Sequence, residues 1–260
     1  MLLKEQNFGV EIELTGITRP RAAHIIAEYY GTNSYPIGTY YDVYGATDCK
    51  GRTWKAMTDG SITCTKKVRG VQVSADRAYS CELVTPILQY DDIEDLQNIV
   101  RSLVKAGAVA NSSCGIHVHV DGANHTPESL TRLLNFAIGR QDLFYEALQI
   151  GGRENSWCHK MNRQLLEQMK KSDKTTSSMQ KIWYSKANDG YNGGISSEHY
   201  NSTRYHGINL HAFFTKGTVE FRLFNGTTHA GKIKAYIQFC LAMSAWATTA
   251  PDKMYYCSPK

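Results

Sequence analysis

Phe8-Gly9-Val10-Glu11-Ile12-Glu13-Leu14 reads as a β-strand with two chemically different faces. The two-residue period puts Val10, Ile12 and Leu14 on one side and Glu11 and Glu13 on the other, with the carboxylates roughly 7 Å apart along the strand. Alone, this pattern describes a strand with one wetted face, as is common in antiparallel sheets. The same device recurs in Gly115-Ile116-His117-Val118-His119-Val120, which sets three aliphatic residues against His117 and His119. Histidine is a poor choice for a merely solvated face. Thr218-Val219-Glu220-Phe221-Arg222-Leu223 sets Glu220 and Arg222 against an apolar side, Cys81-Glu82-Leu83-Val84 adds Glu82, and the turn after Trp54 brings Asp59-Gly60-Ser61 to a strand end. If these strands share a sheet, their polar faces converge. That surface offers carboxylate oxygens and imidazole, a set that accepts Mg²⁺ or Mn²⁺, and an arginine suited to phosphate oxygens.

Outward from these strands, further alternating segments at 52–58, 206–214 and 217–224 read as half-buried strands. Apolar residues spaced three and four apart predict helices over Ile93–Val104, stopped by Gly107, and over Leu130–Leu148, with Thr126 as cap and Pro127 in the first turn. Further helices are expected at Thr18–Tyr30, ending at Gly31, at about 160–171, and from Gly231 through Trp246. Stretches 31–50 and 172–203, rich in Gly, Asn, Ser, Thr and Tyr, read as loops; the second contains Asn188-Asp189-Gly190-Tyr191-Asn192-Gly193-Gly194. The pattern is α+β, and 260 residues fit a single domain over 1–260 with loop insertions at about 31–50 and 172–203.

A composition of 42% hydrophobic and 20% charged residues excludes a disordered or fibrous chain. No apolar run approaches the ~20 residues that span a bilayer, and Lys4 and Glu5 precede the first strand, so no signal peptide or membrane anchor is expected. Seven cysteines, at 49, 64, 81, 114, 158, 240 and 257, form no Cys-x-x-Cys pair; they read as free thiols in a reducing, cytoplasmic setting. The formal charge of +5 is scattered apart from short clusters such as Lys66, Lys67 and Arg69, or Lys170 and Lys171. Nucleotide phosphates or an anionic substrate account for it without nucleic acid.

Zinc competes for the histidines, because Cys114 is close to His117 and His119; in a strand regular from 114 the thiol points away from both, and only a bulge would bring it round. The sequence has no Gly-x-x-x-x-Gly-Lys-Ser/Thr loop, no Gly-x-Gly-x-x-Gly and no Gly-x-Ser-x-Gly elbow, which leaves nucleotide binding on a sheet open.

Taken in order, Phe-Gly-Val-Glu-Ile-Glu (8–13), Gly-Arg-Thr-Trp-Lys (51–55) leading to Asp59-Gly-Ser61, Glu82-Leu-Val-Thr-Pro86, Cys-Gly-Ile-His-Val-His-Val (114–120), Arg204-Tyr-His-Gly-Ile-Asn209-Leu and Gly217-Thr-Val-Glu-Phe-Arg222 resemble the amidoligase family, a compact branch of the glutamine synthetase and glutamate–cysteine ligase superfamily. The resemblance runs from about residue 8 to 245. It implies a curved antiparallel sheet forming a funnel, with helices on its outer side and ATP and metal ions on its inner side. By motif position it makes Glu11, Glu13, Glu82, His117 and Glu220 metal ligands and places His119 nearer the nucleotide. It also puts Arg222 beside the transferring phosphoryl group, and gives Arg204 and Asn209, in an Arg-x-x-x-x-Asn strand, phosphate contact and site orientation.

The activity so implied is ATP-dependent joining of a carboxylate to an amine through an acyl phosphate, on small-molecule or peptide substrates. Asp59, or a glutamate such as Glu82 when not committed to metal, is the candidate base for the incoming ammonium. A metal-dependent amide hydrolase or cyclase on the same scaffold and a non-catalytic nucleotide-binding module are the alternatives. Trp54, Trp183 and Trp246 read as core or rim packing, and Arg163, His206, His211 and His229 carry no role. The sequence says nothing about oligomeric state.

Overall fold

The computed structural model describes residues 2–251; Cys257 lies outside the described residues. Ten strands occur among them: β1 (Phe8–Leu14), β2 (Ser34–Gly38), β3 (Val43–Thr47), β4 (Thr53–Met57), β5 (Thr65–Val68), β6 (Val71–Ser74), β7 (Cys81–Val84), β8 (Gly115–Asp121), β9 (Ile208–Asn209) and β10 (Thr218–Asn225). The helices are α1 (Arg19–Tyr30), α2 (Ile93–Lys105), α3 (Pro127–Ile138), α4 (Gln141–Ala147), α5 (Arg163–Lys171), α6 (Thr176–Trp183), α7 (His211–Lys216) and α8 (Ala230–Thr249). Eight strands are hydrogen-bonded in the order β2-β3-β4-β7-β1-β8-β10-β9, and β5 with β6 makes a separate pair. The pairings β1 with β7, β10 with β9, β2 with β3, β3 with β4 and β4 with β7 are all antiparallel. The protein is α+β, as its pattern predicts. Among the described residues no helix is long and apolar enough to cross a membrane.

The chain divides into two compact units. One comprises Asn7–Val118 and Phe224–Ile237. Its core is the apolar side of the alternating strands, with Val10, Ile12, Leu14, Leu83, Ile116 and Val118 all buried, together with Trp54 and the α2 residues Leu96 and Ile99. Helix α1 packs on β3 and β4 and ends at Gly31, whose φ of 66° supplies the left-handed cap. Gly16, at φ 78°, lies so close to Gly107 that a Cβ would sit 2.4 Å from its carbonyl oxygen. Arg52 holds two buried carboxylates in this unit, its Nε donating to Asp48 at 2.8 Å and its Nη1 to Asp92 at 2.8 Å.

The other unit comprises His119–Leu223 with Gln238 onward and the first residues up to Gln6. Here Leu130, Leu133 and Leu134 of α3, Leu165 and Met169 of α5, Trp183, Val219 and Phe221 are buried. The α3 start is fixed as its sequence requires: Thr126 Oγ1 accepts from the Ser129 amide at 3.2 Å, while Ser129 Oγ accepts from the Thr126 amide at 2.9 Å. A polar network is buried beside it, in which His125 Nε2 meets Ser244 Oγ at 2.8 Å and Gln6 Nε2 donates to the Leu241 carbonyl at 2.7 Å.

Several sequence expectations are corrected. The helix read over 130–148 is two helices, because Arg140 leaves the helical region with φ −130° just after Gly139, a poor helix former. The strand read over 206–214 shrinks to Ile208–Asn209. Asn209 Oδ1 accepts the His211 amide at 2.8 Å and diverts the chain into α7, which Gly217 ends at φ 72°. The supposed loop at 31–50 contains β2 and β3, whose tyrosines, valine and isoleucine suit strands. The one at 172–203 contains α6, capped by Thr175 Oγ1 on the Ser178 amide and anchored by buried Trp183, whose Nε1 donates to Thr203 Oγ1 at 3.1 Å. Trp54 and Trp183 are core residues, and Trp246 is half-buried against Phe136. Among the described residues no disulfide joins the cysteines.

Candidate functional site

The largest correction concerns the polar faces. Strands β8 and β10 are buried along nearly their whole length, not on one side only. Glu13, Glu82, His117, His119, Glu220 and Arg222 are all under 10% exposed. A solvated outer face therefore does not explain them. Charged groups removed from water need compensating charge or hydrogen bonds, and the structure shows two clusters that supply them in different ways.

The first cluster stands on β1, β7, β8 and the turn after β4. Antiparallel register puts Glu13 directly opposite Glu82, where two like charges repel unless a cation joins them. Glu13 Oε2 accepts the Gly115 amide at 2.6 Å. The His117 ring lies against both strand-one acids, with Nδ1 3.0 Å from Glu11 Oε2 and Nε2 3.8 Å from Glu13 Oε1. Asp59 closes the group; its Oδ1 accepts the Ser61 amide at 2.6 Å, a local turn that fixes the carboxylate.

Two ligand sets result, Glu11 with Glu82 and His117, and Glu13 with Asp59 and Glu82, in each of which the ligand atoms lie within 4.8 Å of one another. Opposite ligands about one divalent ion span about 4–5 Å, so both sets fit a hard cation, and the oxygen-rich donors favour Mg²⁺ or Mn²⁺. Cys114 belongs to neither set. It precedes the strand, in a turn where its amide donates to the Asn111 carbonyl at 3.0 Å.

The second cluster stands on β8, β9 and β10. Glu220 Oε1 accepts from Arg222 Nη1 at 2.6 Å, and its Oε2 accepts from Asn209 Nδ2, also at 2.6 Å, across the β10–β9 register that pairs the two residues. His119 Nε2 is 3.8 Å from Glu220 Oε1, and its Nδ1 is 3.0 Å from Thr218 Oγ1. Arg222 Nε donates to the Trp157 carbonyl at 3.3 Å, and its guanidinium lies 5.9 Å from the centre of the Tyr205 ring.

Arg204 sits in a 3₁₀ turn, Ser202–Arg204, and not in the strand expected for it. Its Nη1 donates to the His199 carbonyl at 2.8 Å, and its guanidinium lies near the rings of Tyr200 and Tyr205. Arg204, Asn209 and Glu220 line a pocket of about 170 Å³ together with His199, His211 and Lys216. Burial holds the His211 imidazole below its ordinary pKa, with Arg204 pushing the same way. Its Nδ1 meets the Tyr184 hydroxyl at 2.5 Å.

Sequence reasoning missed Trp157, Tyr205, Lys216 and the His211–Tyr184 pair as parts of this surrounding. Only their nearness in sequence to Arg204 and Asn209, or in space to Arg222, draws attention to them. His206 is buried with its Nε2 3.7 Å from Asp189 Oδ2, and burial lowers its pKa.

Together these features define an α+β protein whose large antiparallel sheet carries buried acids, histidines and an arginine. A family model described as "Putative amidoligase enzyme" matches residues 4–244. The chain belongs to that family, which is of the ligase type. No curated protein and no solved structure matches it.

Proposed function

We propose that the protein is an ATP-dependent carboxylate–amine ligase that forms an amide through an acyl phosphate, with Mg²⁺ or Mn²⁺ held by Glu11, Glu13, Glu82 and His117. The observation that carries this reading is the buried pair Glu13 and Glu82, directly opposed and flanked by Glu11, Asp59 and His117. That much negative charge out of water calls for a divalent cation. When bound, the ion supplies neutralisation of phosphate oxygens.

In the proposed reaction a substrate carboxylate oxygen attacks the γ-phosphorus of ATP, the bond to the β-phosphate oxygen breaks, and ADP leaves. The amine nitrogen then attacks the acyl carbon, phosphate departs, and a carboxylate takes the proton. Arg222, aimed by Glu220 and the Trp157 carbonyl, is assigned to the charge on the transferring phosphoryl group. Asn209 orients Glu220 and thereby Arg222, His119 faces the nucleotide, and Arg204 contacts phosphate or an acidic substrate group. Asp59, fixed by Ser61 at the mouth of its turn, is the candidate base, with Glu82 as the alternative.

The proposal treats 1–260 as a single catalytic domain on a glutamine synthetase-like funnel. The substrates are small molecules or peptides, and described cysteines outside any disulfide fit a cytoplasmic setting. Calorimetric titration tests the reading: ATP should bind with Mg²⁺ or Mn²⁺ and not with chelator. A flat titration in the presence of either metal overturns it.

A further inference from the structure

The connection between β4 and β7 is longer than those strands need. Met57 pairs with Glu82 on antiparallel neighbours, a junction that two to five residues close in an ordinary hairpin. Instead the whole segment 58–80 intervenes, and within it β5 and β6 form a ribbon in a sheet of their own. Surface connections held by a rigid scaffold often carry binding residues.

The ribbon has a distinct character. From Gly60 to Ala75 there is no acidic residue, while Lys66, Lys67 and Arg69 are all cationic. Register pairs Lys66 with Val73 and Val68 with Val71, so one face carries Lys66, Val68, Val71 and Val73, and Lys67 lies on the other with Gln72. The three valines are exposed, Val71 by 64%. At the tip Arg69 and Gly70 both have positive φ, 49° and 86°, the tight turn that matches strand twist.

The ribbon is anchored at its root. Thr65 exchanges hydrogen bonds with Thr15, its amide donating at 2.8 Å and its carbonyl accepting at 3.1 Å. Asn111 Nδ2 donates to the Thr63 carbonyl at 2.8 Å. Arg77 Nη2 donates to the Asp59 carbonyl at 2.7 Å and Ser80 Oγ to the same carbonyl at 2.7 Å. The arm thus stands on the loop that carries Asp59.

A two-stranded ribbon is marginal in water by itself, and exposed valines beside cations gain from a partner. We propose that this arm docks an extended acidic peptide, the segment of a peptide or protein substrate that flanks the carboxylate to be ligated. The identity of the occupant as substrate rests on the ligase reading above, whereas the docking rests on the arm. Edge strands β5 and β6 offer backbone pairing to an extended chain, the valines receive its apolar side chains, and the three cations receive its acids.

Fluorescence anisotropy tests this with the full chain, without ATP, and with a labelled peptide of alternating glutamate and valine. The expected result is binding that weakens with salt and weakens by about tenfold in the triple variant Lys66→Glu, Lys67→Glu, Arg69→Glu. Val71→Asp alone should weaken it too, and thermal melting and Mg²⁺-dependent ATP binding should be unchanged in both variants. Absence of peptide binding by the parent protein, or equal binding by the triple variant, overturns the proposal. So does tighter binding of the parent to labelled single-stranded RNA or to phosphatidylserine vesicles at the same salt. Loss of metal-dependent ATP binding in the parent, with the peptide effect intact, counts against the ligase reading and supports the docking.

Discussion

Glu13 and Glu82 face each other directly across β1 and β7, paired in register and both buried. Without a cation their repulsion is a standing cost of roughly 0.2–1 kcal/mol or more. Replacing Glu82 by Gln should therefore leave the metal-free protein as stable as before or more so. The same change should remove the stabilisation that Mn²⁺ gives, about 2.7 kcal/mol at a hundredfold excess over its dissociation constant. Differential scanning calorimetry with and without Mn²⁺ reads both, and a variant that keeps the full Mn²⁺ shift would show that Glu82 is no ligand.

Glu11→Gln and Glu220→Gln should each abolish amine-dependent phosphate release while circular dichroism stays unchanged. The two residues stand in different clusters, so parallel losses support a single reaction that uses both. Full activity in both variants would sink the site assignment.

Arg222 neutralises a carboxylate that is 2% exposed. Arg222→Met should cost about 3–5 kcal/mol, because it strands Glu220 without its partner. Adding Glu220→Gln to that variant should restore much of the loss. Urea denaturation measures the cycle; no recovery in the double variant would mean that Arg222 stabilises through its Trp157 and Tyr205 contacts instead.

Burial pushes the His125 imidazole down to about 4 from an ordinary 6.5, with Arg132 also lowering it and Asp121 opposing. Its ring nitrogens meet only hydroxyls, Ser129 Oγ at 3.0 Å and Ser244 Oγ at 2.8 Å. The unfolded chain takes up this proton near pH 6.5 and the folded chain only near 4. The neutral ring thus contributes fully above 6.5, and about 3 kcal/mol is lost as pH falls through that window. Urea stability followed from pH 7 to 4 should show the decline, and His125→Gln should make it shallower by about that amount.

Gly16 and Gly51 have nearly the same left-handed φ, 78° and 76°, but only Gly16 has a neighbour in the way. Alanine at 51 should cost about 1 kcal/mol, the backbone penalty alone. At 16 the clash with the Gly107 carbonyl should raise this to about 3 kcal/mol. Equal melting temperatures for the two variants would contradict the close approach.

Much of this was readable from the chain. Period-two alternation located β1 and β8 to the residue, since aliphatic and polar residues never break step there, and helix caps at Thr126 and Gly31 are local chemistry. The same local signals misled at 206–214, where alternation continues through Asn209 although its side chain turns the backbone, a choice that strand propensity does not encode. At 31–50, tyrosine and glycine content suggested a loop, and only cross-strand partners make those segments strands. For the site, alternation told which residues share a face, and the family resemblance added the roles that the proposal assigns to them. That the faces are dry was invisible, because a pattern of charges looks alike whether water or protein covers it.

Glu82 belongs to both candidate ligand sets of the first cluster, one with Glu11 and His117 and one with Glu13 and Asp59. A shared ligand makes the two positions interdependent. Two ions there could not load as independent equilibria, since the first to arrive spends part of the charge that attracts the second and fixes the carboxylate that both require. Under the proposed metal binding, drift at this one codon would alter both affinities at once, and selection could tune either position separately only through the residues not held in common.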